Sequence, residues 1–299
     1  MGMNRTFQKK DVLMIVKSTE SSFWKSVISG ADTASTTFNM NLEIGSPKNE
    51  EDYETQNQLI NKAIEEGVEI IILSAVDYNA SVEAIEAAAK EGVRFIIIDS
   101  DVNTDKVDIR IGTDNYKAGI MSGEALLECN TEILNIGIVN YDIHSQNGQE
   151  RESGFRKAVS MDSRARIVET INVLSTTEDA KQGTIEFLQK HPEINAVVTF
   201  NEWTSLGVGY AIRELGLKDN VRVVAFDSNV VSVEMLETGE VDVLIVQNPY
   251  AMGHLAVEHA FRIANNMELP TEKIDTETLQ VTVENMYSEE AQKALFAFE

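Results

Sequence analysis

Phe95-Ile96-Ile97-Ile98-Asp99, Val197-Val198-Thr199-Phe200-Asn201, Val223-Val224-Ala225-Phe226-Asp227 and Val243-Leu244-Ile245-Val246-Gln247 share one design: a short apolar run closed by a polar side chain. A fifth run, Ile136-Gly137-Ile138-Val139-Asn140, is followed after a loop by Arg151. Uninterrupted apolar runs are what strands buried on both faces look like, and such strands belong to parallel α/β sheets. Ligands of these sheets bind outside the carboxyl ends of the strands. Two Asp, one Asn, one Gln and one Arg gathered there offer many hydrogen-bond donors and acceptors. The matching target is a small molecule covered in hydroxyls.

Around these runs the chain alternates strand and helix. Val12 to Val16 reads as a strand, and Phe23, Val27, Ile28, Ala31, Ala34 and Phe38 then recur at helical spacing. A strand around Leu42–Ile44, a helix stopped at Gly67, a strand over 68–73 and a helix ended by Gly92 lead into the Asp99 strand. The second half repeats the order: a helix from the capping residue Asp114, strands over 133–139, 167–174, 195–200, 221–226 and 241–246, helices between them, and a last helix over 249–266. Glycine stops helices because it takes the left-handed cap conformation freely. Strict alternation predicts parallel sheets with right-handed crossovers. Two similar halves without a Pro- or Gly-rich tether predict two domains joined by crossing segments.

The chain has 299 residues, more than one core usually serves, and 43% of them are hydrophobic. Lys and Arg number 25 against 49 Asp and Glu, a net charge of -24. Such a surface repels nucleic acid and anionic lipid. No run reaches the ~20 apolar residues of a membrane span. The start, Met1 to Lys10, is polar and carries no export signal, which fits either a cytosolic start or a trimmed leader. The single cysteine, Cys129, forms no intrachain disulfide and reads as a buried thiol. Gly207-Val208-Gly209 lacks the third glycine of a dinucleotide fingerprint, and neither a phosphate loop nor a nucleophile elbow occurs. His254, Glu258 and His259 do not fit a zincin spacing. No metal, cofactor or catalytic residue is expected.

Each candidate has a plain alternative. Phe23 and Trp24, at the end of the first strand, could stack on the C–H face of a sugar ring or simply fill the core. Two bulky aromatics at one strand end argue for stacking by at least one. Asp99 could bind two hydroxyls or cap a helix. Arg151 could grip a ring oxygen and a hydroxyl as a fork, or form a surface ion pair. Asn201 and Asp227 end strongly apolar runs, and Gln247 precedes Asn248-Pro249, where a domain crossing is plausible.

Taken in order, Ser18 to Trp24, Ile98-Asp99, Gly112 to Gly119, Glu150 to Phe155, Phe200-Asn201-Glu202, Ala225 to Asp227 and Val246 to Pro249 resemble the type I periplasmic sugar-binding family. That family holds the ribose- and galactose-binding proteins and the effector domains of the lac-repressor family. The resemblance spans about residues 10–285. It implies a two-lobed Venus-flytrap fold, each lobe a three-layer α/β/α sandwich, with three crossing segments near Gly112-Thr113, Gln247-Asn248 and Thr278-Leu279. The lobes would be 1–113 with 249–277, and 114–248 with 278–299. It implies ligand contacts from Phe23, Trp24, Asp99, Arg151, Asn201, Asp227 and Gln247. Ser21, Ser100 and Ser175 stand where the family often has an Asn, a second Arg and a ring-closing aromatic, so a sugar-like ligand is implied without its identity.

The function this resemblance implies is that of an extracytoplasmic, monomeric solute-binding protein, lipid-anchored or periplasmic, that delivers a monosaccharide-like ligand to an ABC permease. Two alternatives share the fold: the ligand-sensing domain of a membrane receptor, and a transcription regulator lacking its DNA-binding head. An enzyme reading has neither an activated nucleophile nor a cofactor loop behind it.

Overall fold

A computed structural model describes residues 10–296; the polar segment at the extreme amino terminus lies outside them. The first sheet runs in the order β2-β1-β3-β4-β5-β11, formed by Met40–Gly45, Lys10–Ile15, Ile70–Leu73, Arg94–Ile98, Ile109–Gly112 and Lys273–Asp275. The second runs β7-β6-β8-β9-β10-β12, formed by Ala165–Asn172, Leu134–Asn140, Ala196–Thr199, Arg222–Phe226, Val243–Val246 and Leu279–Thr282. The two orders correspond strand for strand. Residue alternation sends each sheet's apolar side chains into two cores. Val12, Met14, Ile70, Ile72, Ile96 and Ile98 face one side of the first sheet, while Leu13, Ile15, Ile71, Leu73, Phe95 and Ile97 face the other. That double burial is why these strands read as continuous apolar runs.

Helices α1 (Ser22–Phe38), α2 (Tyr53–Glu65), α3 (Val82–Lys90) and α9 (Pro249–Ala264) cover the first sheet. Helices α4 (Asn115–Leu127), α5 (Gln146–Val159), α6 (Thr177–Lys190), α7 (Glu202–Leu215), α8 (Val230–Thr238) and α10 (Glu289–Leu295) cover the second. The chain changes sheet three times: between β5 and α4, between β10 and α9, and between β11 and β12. Each lobe therefore packs a helix delivered by the other's last strand, α9 on α1 and α4 on α5.

Some expectations change. The sheets are not wholly parallel, because β12 runs antiparallel to β10; it enters straight from the third crossing, with no helix to reverse it. The strand expected over 167–174 lies two residues earlier. Strands β5, β11 and β12 carry no continuous apolar run, since Ile109-Arg110-Ile111-Gly112 alternates and β11 and β12 are edge strands. Gly67, Gly92 and Gly216 do stop their helices, all at positive φ.

Both helix pairs depend on close backbone approach. A Cβ on Gly30 would sit 2.0 Å from the Tyr250 carbonyl oxygen, and one on Gly253 would sit 1.8 Å from that of Val27. In the second lobe a Cβ on Gly119 would meet the Arg151 carbonyl oxygen at 2.0 Å, and one on Gly154 that of Tyr116 at 2.0 Å. Backbone cannot yield as a flexible side chain can. Gly119→Ala is expected to force α4 from α5 and lower stability by about 1–3 kcal/mol, read as a lower denaturation midpoint. An unchanged midpoint would mean that the helices separate freely.

Candidate binding cleft

Asp99 and Asp227 occupy equivalent places, one residue beyond β4 and β9. Both adopt the left-handed conformation, with φ of 57° and 67°. Among non-glycine residues Asp and Asn tolerate this best. Each is held there by its backbone N–H, which donates to the neighbouring strand: Asp99 to the Ile111 carbonyl at 3.1 Å, Asp227 to the Ile245 carbonyl at 2.9 Å. Backbone conformations of this kind persist where the surroundings over-determine them, and they gather at ligand sites. Asp99 is thus a cleft carboxylate and not a helix cap.

Arg151 lies on the first turns of α5 and is 1% exposed, so it is no surface ion pair. Its Nε donates to Asn115 Oδ1 at 2.9 Å, Nη1 to the Phe200 carbonyl at 2.6 Å and Nη2 to Gln247 Oε1 at 2.8 Å. Three of the five guanidinium donors are spent on the protein, which fixes the fork. Nη2 stands 3.8 Å from Asp99 Oδ1 across the cleft, and the guanidinium carbon lies 5.0 Å from the Phe226 ring centroid. Gln247 also accepts from Thr113 Oγ1 at 2.8 Å and donates to Asp227 Oδ1 at 2.6 Å. It ties two crossing segments to both a cation and a carboxyl.

All seven principal candidates, Phe23, Trp24, Asp99, Arg151, Asn201, Asp227 and Gln247, line one cavity between the sheets' carboxyl edges, together with Ser21. Phe23 and Trp24 meet edge to face, 5.0 Å between centroids. Both line the cavity and both belong to the first lobe's core, so the choice between stacking and core was too sharp. Ser21 and Asn201 cap α1 and α7, accepting from Trp24 N and Thr204 N. Ser175 lies behind the lining, accepting from Asn201 Nδ2 at 2.8 Å and donating to Glu50 Oε2 at 2.7 Å. Ser100 is fully buried outside the lining.

The lining adds Lys17, Glu50, Tyr141, Asn147, Glu202 and Trp203. Lys17 directly follows β1's apolar run and Tyr141 follows that of β6. The reading that singled out Asp99 applies to Lys17 and could have found it; Tyr141 comes one residue after Asn140, which closes its run. Glu50 and Asn147 come from loop and helix positions with no such mark. Asn147 Nδ2 donates to both Asp99 oxygens at 3.1 Å, while its own oxygen accepts from Tyr141 Oη and Ser145 Oγ, each at 2.8 Å. Lys17 Nζ donates to Ser145 Oγ at 2.8 Å. Burial pushes the Lys17 ammonium down, with Asp99 and Glu50 opposing, and it raises the Glu50 carboxyl and the Tyr141 phenol. Burial also pushes Asp227 up to about 7, against the pull of Arg151 and the Gln247 hydrogen bond.

The periplasmic binding protein domain family matches this chain over residues 12–268. The chain belongs to that family. The D-ribose/D-allose-binding protein of Pseudomonas aeruginosa is 24% identical over 247 residues, 79% of this chain and 76% of its own length. The ribose import binding protein of Bacillus subtilis is 25% identical over 212 residues, 70% of this chain and 67% of its own. Among solved structures, an Agrobacterium radiobacter carbohydrate transporter solute-binding protein in complex with D-arabinose superposes with a TM-score of 0.93 at 24% identity, covering 97% of this chain and 100% of its own. An Agrobacterium vitis ABC transporter solute-binding protein with bound D-fucose gives 0.92 at 26% identity, covering 95% and 99%. The two-lobed α/β architecture is therefore that of this binding-protein family. Among the described residues no helix is long and apolar enough to cross a membrane.

The raised Asp227 carboxyl fixes the sign of a pH effect. Its ordinary value is 3.8 and its folded value about 7, so between these the folded chain holds a proton that the unfolded chain has released. The stability this proton confers is full below pH ~4 and is lost as pH rises through about 7. Melting temperature should fall over that interval through this group, and Asp227→Asn should remove that part of the slope. Parallel melting curves for the two proteins would show that Asp227 titrates normally.

Proposed function

We propose that this chain is a solute-binding protein that captures a monosaccharide-like, polyhydroxylated ligand between its lobes for an ABC importer. The observation that carries this reading is the pair of left-handed aspartates, one from each sheet, facing a locked guanidinium in a cavity walled by Phe23 and Trp24. Carboxylates accept hydroxyl protons, the two unspent guanidinium donors serve a ring oxygen or hydroxyl, and aromatic faces take the C–H surface. The ligand contacts are Phe23, Trp24, Asp99, Arg151, Asn201, Asp227 and Gln247. Because Asn201 is committed to capping, its contribution rests on the amide hydrogen left free by Ser175. The import proteins among its relatives support delivery to a membrane permease; on this reading the chain acts outside the cytoplasm and as a monomer.

Among the described residues the proposed lobes are 10–113 with 249–277, and 114–248 with 278–296, hinged where the chain changes sheet; the terminal residues of the expected bounds 1–113 and 278–299 lie outside the described residues. A ligand touching both lobes binds the closed form better than an open one, and that difference drives closure. Binding should therefore shrink the radius of gyration measured by small-angle scattering. Identical profiles with and without a sugar proven to bind would refute the flytrap motion.

Isothermal calorimetry against pentoses, hexoses and polyols tests the ligand class. Asp99→Ala and Asp227→Ala are each expected to abolish binding, since each loses its hydrogen bonds to the ligand and leaves buried hydroxyls unpaired, at about 1–3 kcal/mol for each group. Arg151→Lys is expected to be equally severe, because an ammonium cannot reproduce the three-way anchored fork. Binding by the lysine variant within about twofold of the parent, under 0.5 kcal/mol, would remove the fork from the site.

A further inference from the structure

Two carboxylates of the cleft act on the protein itself, across the gap between lobes. Glu202, the first residue of α7 in the second lobe, is 5% exposed. It accepts from the backbone N–H groups of Ser22 at 3.1 Å and Phe23 at 2.9 Å, in the first turn of α1 in the first lobe. First-turn N–H groups have no partner within their helix, and a carboxylate is favoured there by charge as well as by hydrogen bonding. Ser21 caps Trp24 N from within the lobe, so the remaining two donors of that turn are met only from the other lobe. Within the first lobe Glu50 accepts from Trp24 Nε1 at 2.9 Å and, on its other oxygen, from Ser175 Oγ of the second lobe at 2.7 Å. The neighbouring Glu51 accepts from Ser175 N at 2.8 Å. Ser175 precedes α6 and also holds Asn201.

The aromatic wall is thus gripped twice from across the cleft: the Phe23 backbone by Glu202, and the Trp24 indole through Glu50 and Ser175. We infer that Glu202 and Glu50 are positioning residues that complete the Phe23–Trp24 wall on closure, with Glu51 as a supporting latch, so that affinity depends on contacts between lobes as well as on contacts to ligand. The inference rests on the sugar-binding reading only for what the wall receives. The latches favour the closed form by themselves, and a ligand that prefers that form gains from every latch already made.

The test places spin labels at Tyr53→Cys and Val230→Cys, exposed positions on opposite lobes, in a Cys129→Ser chain of full length. Pulsed dipolar spectroscopy then reads the fraction at short interlobe distance, with the protein alone and with D-ribose, D-arabinose or D-fucose added. Glu202→Ala and Glu51→Ala should each reduce that fraction relative to the open form by about tenfold, the weight of one charged hydrogen bond. Glu202→Gln, which keeps one acceptor oxygen, should recover part of the loss. Glu51 is only partly buried and lies outside the cavity lining, so its variant decides the matter if Glu202→Ala fails to fold. An unchanged short-distance fraction in the alanine variants, or none in the parent under any condition, overturns the inference. A short-distance fraction that ignores all three sugars yet falls in the variants upholds the latches and removes the sugar reading.

Discussion

A guanidinium buried to 1% exposure sets the terms for the whole cleft. Removing that charge from water is costly unless hydrogen bonds and opposite charge replace the water. Arg151 meets this demand by drawing on α4 through Asn115, on the end of β8 through the Phe200 carbonyl, and on the second crossing segment through Gln247, with Asp99 opposite. These partners come from separate elements of the second lobe, a crossing segment and the first lobe. An arginine so anchored cannot shift without unsettling all of them. Gln247 passes the constraint on to Asp227 and to Thr113, so the cation, both aspartates and two crossing segments form one network.

The network sits on a fold in which one plan is used twice and then entangled. The strand orders match, the left-handed aspartates match, and each lobe closes a helix pair by glycine-to-carbonyl approach. Yet each pair includes a helix that arrives from the other lobe's sheet. In the second lobe one of these approaches, Gly119 against the Arg151 carbonyl, falls on the residue that anchors the cleft. Backbone packing between α4 and α5 therefore sets the position of the guanidinium, and the symmetry is broken at the cleft: the first lobe supplies Phe23 and Trp24, the second the buried Arg151.

What was legible in the sequence follows from burial. Strands covered on both faces must be apolar throughout, so β1, β3, β4, β6, β8, β9 and β10 stood out, and the polar residue after each run marked the carboxyl edge. Asp99 and Asp227 were readable for that reason, and Lys17 obeys the same rule. Strands β5, β11 and β12 were hidden because they are only three or four residues long and mix polar with apolar side chains. Glu50, Asn147 and Glu202 were hidden because each bonds across the cleft to a partner 48 to 180 residues away in sequence, and no local pattern encodes such a partner. Asn201 showed how one residue serves two ends, since ending an apolar run and capping a helix call for the same side chain.

The balance of charge in the cleft bears on what it accepts. Glu50, Asp99, Glu202 and Asp227 line it against Lys17 and Arg151. Burial has already pushed Asp227 and Glu50 toward their neutral forms and Lys17 toward its own, which is how a desolvated cluster sheds charge it cannot pair. An anionic ligand would add its charge to four acidic side chains that outnumber the two cations of the lining, and would call for further adjustment. A ligand of neutral hydroxyls asks for no such adjustment: it donates to the carboxylates, accepts from the guanidinium, and leaves the charge as it was. The same acids that disfavour an anion grip the helix carrying the aromatic wall. The proposed preference for neutral, polyhydroxylated ligands and the proposed assembly of the closed cleft then draw on one set of buried carboxyls.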